Sequence, residues 1–233
     1  MTLKNRVIFG LAATALTAFF GVAAQAEGTL NIGSYPANPP WEFKNEAGEF
    51  EGFEVDIINE IAKRLDAEVV ISGLDFRALF VATASGRMDA VISSLTITDE
   101  RLEAQSFTQP YFSGALGVGT KSSSGIADLA DLAGKKVGSI ATSFPEGWLK
   151  EREAELGYAS YASYDSTANM LTDLRSGRID AAVNDIVSLR YAFNQPQMRD
   201  LQVSIEVPTG DKFAIMMPKN SDKLGPSMMR SRR

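Results

Sequence analysis

The chain has 233 residues, a formal charge of −6, and neither histidine nor cysteine. Those absences exclude disulfides, thiol nucleophiles, a Ser-His-Asp triad, zinc fingers and imidazole acid–base chemistry, and without cysteine there is no lipoprotein anchor. The acidic balance argues against nucleic acid, whose phosphates need a basic surface.

The first predicted element is a leader. Lys4 and Arg6 precede an apolar run from Val7 to Ala24, and Ala24-Gln25-Ala26 fits a small-residue cleavage site. That pattern predicts a secretory signal peptide over residues 1–26. The alternative is an uncleaved membrane anchor, but Gly10, Gly21 and the alanines make a weak span. Removing Lys4 and Arg6 takes the charge from −6 to −8. No later stretch is long and apolar enough to cross a membrane.

From Glu27 the elements alternate. Residues 29–33 read as a strand, and the prolines of 36–40 impose an extended loop. Phe53, Val55, Ile58, Ile61, Ala62 and Leu65 recur at helical spacing, so 52–66 is an expected amphipathic helix. A strand over 68–72, a helix over 77–85 and a strand over 89–93 follow. A second series has a strand at 136–140, a helix at 145–156, a strand at 160–164, a helix at 167–176 and a strand at 181–184. Such alternation predicts βαβ units and parallel sheets.

The two series share an echo. Ser85-Gly-Arg-Met-Asp-Ala-Val-Ile-Ser-Ser94 aligns without gaps on Ser176-Gly-Arg-Ile-Asp-Ala-Ala-Val-Asn-Asp185, with five identical positions. This helix–turn–strand idiom occurs in many α/β proteins, but the matching order of elements before it favours two similar lobes. Ligands in open α/β sheets bind beyond the carboxyl ends of strands, where Ser94 and Asp185 are equivalent.

Arg101 stands in what reads as the first turn of a helix capped by Thr98, where the macrodipole disfavours a cation. Either it is solvated and paired with Asp99, Glu100 or Glu103, or it awaits a ligand carboxylate, with Ser94 and Thr96 hydroxyls nearby. Asp185 is either an ordinary N-cap or the receiver of an ammonium. An arginine in one lobe and an aspartate in the other define a ligand carrying both a carboxylate and an amine. Glu46, Glu49, Glu51 and Glu54 read as a solvated acidic face, which gives no support for a metal.

Six motifs occur in order: Gly52-Phe-Glu-Val-Asp-Ile57, Asp75-Phe76, Ser85-Gly-Arg-Met-Asp-Ala90, Thr96-Ile-Thr-Asp-Glu-Arg101, Phe107-Thr-Gln-Pro-Tyr111 and Asp131-Leu-Ala-Gly-Lys-Lys-Val-Gly138. Together they resemble the periplasmic amino-acid-binding proteins of ABC importers, the family 3 extracellular solute-binding proteins, over about residues 29–220. The resemblance implies an α/β, two-lobed type II periplasmic-binding-protein fold with two hinge strands. It implies lobe 1 at 27–115 with 213–233 returning to it, and lobe 2 at 116–212. It implies no catalysis and no cofactor. The implied partners are a free amino acid and an inner-membrane permease, for a periplasmic monomer.

By the same resemblance, Arg101 falls on the carboxylate-binding arginine, Ser94 and Thr96 on its hydroxyl and backbone partners, and Asp185 on the amine-binding aspartate. Phe76 falls on the side chain covering the ligand, and Thr142, Ser143 and Phe144 on the second-lobe carboxylate loop. Three departures accompany the match. The loop usually reads Gly-Thr-Thr. Asn38 stands where an aromatic lid is usual, leaving Tyr35 or Trp41 for that role or for packing. Beyond Leu224 the usual C-terminal helices give way to Gly225–Arg233, which reads as a truncation or frameshift rather than a functional basic tail, and the missing helices would leave apolar surface of the first lobe uncovered. Two rivals remain: an enzyme on the same fold, resembling cyclohexadienyl dehydratases, with Glu42 or Glu146 as general acid, and an extracellular sensor domain.

Overall fold

The computed structural model describes residues 28–221, 223 and 224. The expected leader and the altered segment from Gly225 lie outside these residues.

Two five-stranded sheets carry the architecture, and they are built alike. The first runs, in spatial order, Ala67–Gly73, Gly28–Ser34, Ala90–Val91, Met216–Pro218, Gln105–Phe107. The second runs Ser160–Tyr164, Lys136–Ile140, Ala181–Asp185, Leu116–Lys121, Leu201–Val207. In each, the first three strands are parallel and the last two join antiparallel. The expectation of parallel sheets therefore needs correction: it captures the βαβ half of each lobe and misses the antiparallel half. Leu116–Lys121 escaped notice because Gly117 and Gly119 break its apolar pattern. Packing explains Gly119, since a Cβ there would lie 2.7 Å from the Phe193 ring of the covering helix.

Helices cover both faces of each sheet. Ile58 and Ala62, on the inner stripe of helix Phe53–Arg64, pack with Ile32 and Ile92, while Leu79 and Ala82 of helix Phe76–Ala84 cover Val91 and Met216 on the other face. Acidic Glu54 and Asp56 open the first of these helices and Lys63 and Arg64 close it, as the macrodipole favours. In the second lobe, Trp148 and Leu149 of helix Phe144–Glu151 pack on Val137 and Val183. Met170 and Leu174 of helix Thr167–Ser176 pack on Ala182 and Leu189. Each fully buried leucine contributes about 1.5–3 kcal/mol. The single helix expected over 145–156 breaks at Arg152 (φ −110°, ψ 13°), where the guanidinium turns back over the Trp148 ring at 5.1 Å.

The echo has a structural cause. Asp89 accepts the Asn31 N–H at 2.9 Å and Asp180 accepts the Lys136 N–H at 2.8 Å. Each aspartate's own N–H donates back to the same residue's carbonyl, at 2.8 and 2.7 Å. Gly86 (φ 71°) and Gly177 (φ 79°) make the left-handed turn before each clasp. Both strands are thus locked in the same register, and Ser94 and Asp185 arrive at equivalent ends.

The chain passes between the sheets at Phe112–Ser113 and returns at Lys212–Phe213, and these two segments pair antiparallel. A small sheet of Ala37–Asn38, Glu42–Lys44 and Phe50–Glu51 sits beside the first lobe's strand ends.

Candidate functional site

A cavity of about 60 Å³ lies between the lobes. Its wall includes Tyr35, Phe76, Ser94, Thr96 and Arg101 from the first lobe and Ser143, Phe144 and Asp185 from the second. Eight of the ten residues singled out from the sequence therefore meet in one place.

Thr98 caps helix Asp99–Ala104 by accepting the Arg101 N–H at 3.2 Å. The Arg101 side chain then turns away from Asp99, Glu100 and Glu103 and forms no ion pair among the described residues. It donates instead to the carbonyls of Thr96 at 2.7 Å and of Thr142, across the cleft, at 3.0 Å. The Phe80 ring lies 5.0 Å from the guanidinium carbon. Burial pulls the guanidinium down to about 10, against a smaller opposing effect of Glu100. It stays cationic at neutral pH and lacks an anion.

Asp185 takes the N-cap role that its sequence position allowed, and one of its oxygens is left over. As an N-cap, its Oδ1 accepts the Ser188 N–H at 2.9 Å and the Ser188 hydroxyl at 3.1 Å. Trp41 adds a third donor from the other lobe, Nε1–H to Oδ1 at 2.9 Å. Oδ2 is buried and has no partner among the described residues. Burial raises the pKa of this carboxyl, which the Ser188 and Trp41 donors oppose. An unpaired oxygen of this kind suits a donor brought by a ligand.

Two candidates stand outside the cavity wall. Trp41 is 3% exposed and packs edge-on against Phe53, Phe112 and Phe213. It packs here rather than covering the cavity, because the bonds from the Phe53 and Glu54 N–H groups to the Pro40 and Trp41 carbonyls hold it inward. Thr142 (φ 60°) directs its hydroxyl at the Ala141 carbonyl and contributes its own carbonyl to Arg101. Ser143 caps helix Phe144–Glu151 through the Glu146 N–H.

Sequence reasoning missed Asn38, Ser93, Asn184 and Asp211 in the wall. Asn38 replaces an aromatic with a polar clasp: its Nδ2 donates to Ser94 Oγ at 2.7 Å and its Oδ1 accepts from Ser188 Oγ of the second lobe at 3.0 Å. Asp211 lies on the returning connection and adds negative potential beside Asp185.

The supposed acidic face also needs correction. Glu46, Glu49 and Glu51 are exposed, but Glu54 is fully buried. It accepts the Ser94 N–H at 2.7 Å and the Tyr111 hydroxyl, and it touches the equally buried Glu42. Ser94 adopts φ 42°, a strained conformation costing about 1–3 kcal/mol for a residue other than glycine, and the Glu54 bond holds it there. Burial, then the charge of Glu54, push Glu42 well above the usual carboxylate range. Glu54 Oε2 is buried and has no partner among the described residues.

Glu146 differs. Burial raises its pKa, but Lys150, the Thr142 N–H and Tyr161 outweigh that and hold it below the usual range.

Among the described residues no helix is long and apolar enough to cross a membrane.

The L-cystine-binding protein TcyJ of Escherichia coli (strain K12) is 33% identical over 196 residues, covering 78% of this chain and 72% of that protein. The histidine-binding periplasmic protein of Salmonella typhimurium is 33% identical over 192 residues, covering 82% and 72%. A solved ancestral arginine-binding protein bound to arginine superposes with a TM-score of 0.81 at 31% identity, covering 87% of this chain and 90% of that one. These relatives are binding proteins, and the fold they share is two-lobed. The profile of the bacterial extracellular solute-binding proteins, family 3, matches residues 30–229, and the chain belongs to that family.

Proposed function

We propose that this protein is a periplasmic receptor that encloses a free amino acid between its lobes and delivers it to an inner-membrane ABC permease. One observation carries the reading: a cationic Arg101 without an anion and an Asp185 Oδ2 without a donor face the same interlobe cavity. A ligand carboxylate on the guanidinium and its ammonium on Oδ2 satisfy both at once. Ser94, Thr96, Ser143 and Phe144 line the carboxylate end, Phe76 and Tyr35 flank the side chain, and Trp41 and Thr142 hold Asp185 and Arg101 from behind. Relatives named for histidine, arginine and cystine bring the same ligand class.

Closure follows from contacts made to both lobes. The lobes comprise 27–115 with 213–233, and 116–212, turning about the Phe112–Ser113 and Lys212–Phe213 pair. A cleaved leader over 1–26 exports the protein, which acts as a monomer. No catalysis is assigned: Glu42 is fully buried and bonded to Ser93 and Asn38, and Glu146 is paired with Lys150.

A thermal-shift screen across the amino acids, followed by calorimetric titration, tests the reading. Micromolar binding, about −8 kcal/mol, is expected for one or a few of them. Turnover of prephenate or arogenate without amino-acid binding would replace the receptor by the enzyme.

A further inference from the structure

A single amide in the cavity wall, that of Asn38, bonds to a serine hydroxyl in each lobe. Its two ends are not interchangeable, since Nδ2 only donates and Oδ1 only accepts. Both hydrogens on Nδ2 are placed, one on Ser94 Oγ at 2.7 Å and the other on Glu42 Oε1 at 3.3 Å. That glutamate oxygen also accepts the Ser93 hydroxyl at 2.7 Å, so the end of the amide facing it is the nitrogen. The backbone is pinned as well. Asn38 pairs with Glu42 in the small sheet, and its carbonyl accepts the Trp41 N–H at 2.9 Å.

This orientation sets the direction of the hydroxyls on either side, because a serine has one hydrogen to give. Ser94 Oγ accepts from Asn38, and its own hydrogen has no acceptor among the described residues. Ser94 and Arg101 share the cavity wall, so that hydrogen is left for whatever the guanidinium holds. The Ser94 N–H is fixed on Glu54 Oε1 at 2.7 Å, and rotation of the hydroxyl is the freedom that Asn38 removes.

In the second lobe the Ser188 hydroxyl has two acceptors in reach, Asn38 Oδ1 at 3.0 Å and Asp185 Oδ1 at 3.1 Å. Asp185 Oδ1 already takes the Ser188 N–H and the Trp41 Nε1–H, each at 2.9 Å. Asn38 Oδ1 has no other donor among the described residues, so it is satisfied only when the Ser188 hydrogen turns to it. Donors then run in one line, from Ser188 through the amide to Ser94, and each link polarises the next.

We propose that Asn38 is a positioning residue for ligand capture. It turns the Ser94 hydrogen toward the ligand carboxylate on Arg101, and Ser188 of the second lobe completes the line when the lobes meet. Asn38 acts through Ser94, and closure strengthens the donor that meets the carboxylate. This inference rests on the receptor reading and deepens it.

The test is a double-mutant cycle on the full chain, read by calorimetric titration with the twenty coded L-amino acids and L-cystine. For the tightest binder among these probes, Asn38→Ala and Ser94→Ala should each weaken binding by about tenfold, the size of one net hydrogen bond. Both remove the same donor, so the double variant should also lose about tenfold and not about a hundredfold. Ser188→Ala should weaken binding less in the Asn38→Ala background than in the parent. Circular dichroism checks each fold, and if Asn38→Ala does not fold, Asn38→Leu, close in volume and without polar side-chain atoms, takes its place. Losses that multiply, or an Asn38 variant that binds as tightly as the parent, overturn the proposal and leave the receptor reading standing. A parent that binds none of the probes overturns both.

Discussion

Trp41 Nε1 donates to Asp185 Oδ1 at 2.9 Å, joining an indole buried in one lobe to the acid at a strand end in the other. With Ser188 it saturates one carboxylate oxygen and leaves the second vacant. The bond therefore does two things, fixing the orientation of Asp185 and holding the lobes together.

Replacing Trp41 by Phe keeps the ring contacts with Phe53, Phe112 and Phe213 but removes the N–H. A hydrogen bond to a charged group is worth about 1.5–3 kcal/mol. Ligand affinity should fall by that order, and small-angle scattering of ligand-free Trp41→Phe should show a larger radius of gyration than the parent. An unchanged radius and affinity would mean that the indole only packs.

The Glu42–Glu54 pair gives a pH signature. Burial raises both carboxyls above their ordinary range. Between the ordinary carboxylate pKa of about 4.3 and the raised native value, the native state binds more protons than the unfolded one, so stability falls as pH rises through that window. Glu42→Gln mimics the protonated acid and lacks that loss. Its melting temperature relative to the parent should climb as pH rises from about 4.5, by thermal denaturation at matched ionic strength. A constant difference across that range would place the proton elsewhere.

Gly52 joins the small sheet to helix Phe53–Arg64 at φ 124°, and a Cβ there would lie 2.4 Å from the Trp41 carbonyl oxygen. Nothing flexible can give way, because the clash is with backbone. Gly52→Ala should destabilise by on the order of 2–4 kcal/mol, lowering the melting temperature by roughly 5–15 °C. It should also weaken ligand binding, since Trp41 must shift off Asp185. A melting temperature within a degree of the parent would contradict the geometry.

Legibility in the sequence followed locality. The repeated Ser-Gly-Arg-x-Asp-Ala segment exposed the two strand ends, because the clasp that Asp89 and Asp180 make is written within a few residues. Arg101 stood out because its position opposes the helix field. Asp211 and Asn38 were illegible: one depends on how the returning connection lies against Gly114, the other on a partner 150 residues away. Glu54 misled because its glutamate neighbours are exposed, while its burial depends on Ser94 and Tyr111, far along the chain.

The central claim is that Arg101 and Asp185 hold opposite ends of one zwitterion. Calorimetry with the best-binding amino acid, its decarboxylated analogue and its deaminated analogue tests this directly on the parent, Arg101→Ala and Asp185→Asn. Each analogue should bind the parent at least about 2 kcal/mol more weakly, roughly thirtyfold. Arg101→Ala should lose the preference for the α-carboxylate alone, and Asp185→Asn the preference for the α-amine alone, with circular dichroism unchanged. If either variant keeps its parent's preference, or both lose the same one, the two residues do not grip the ligand as a pair.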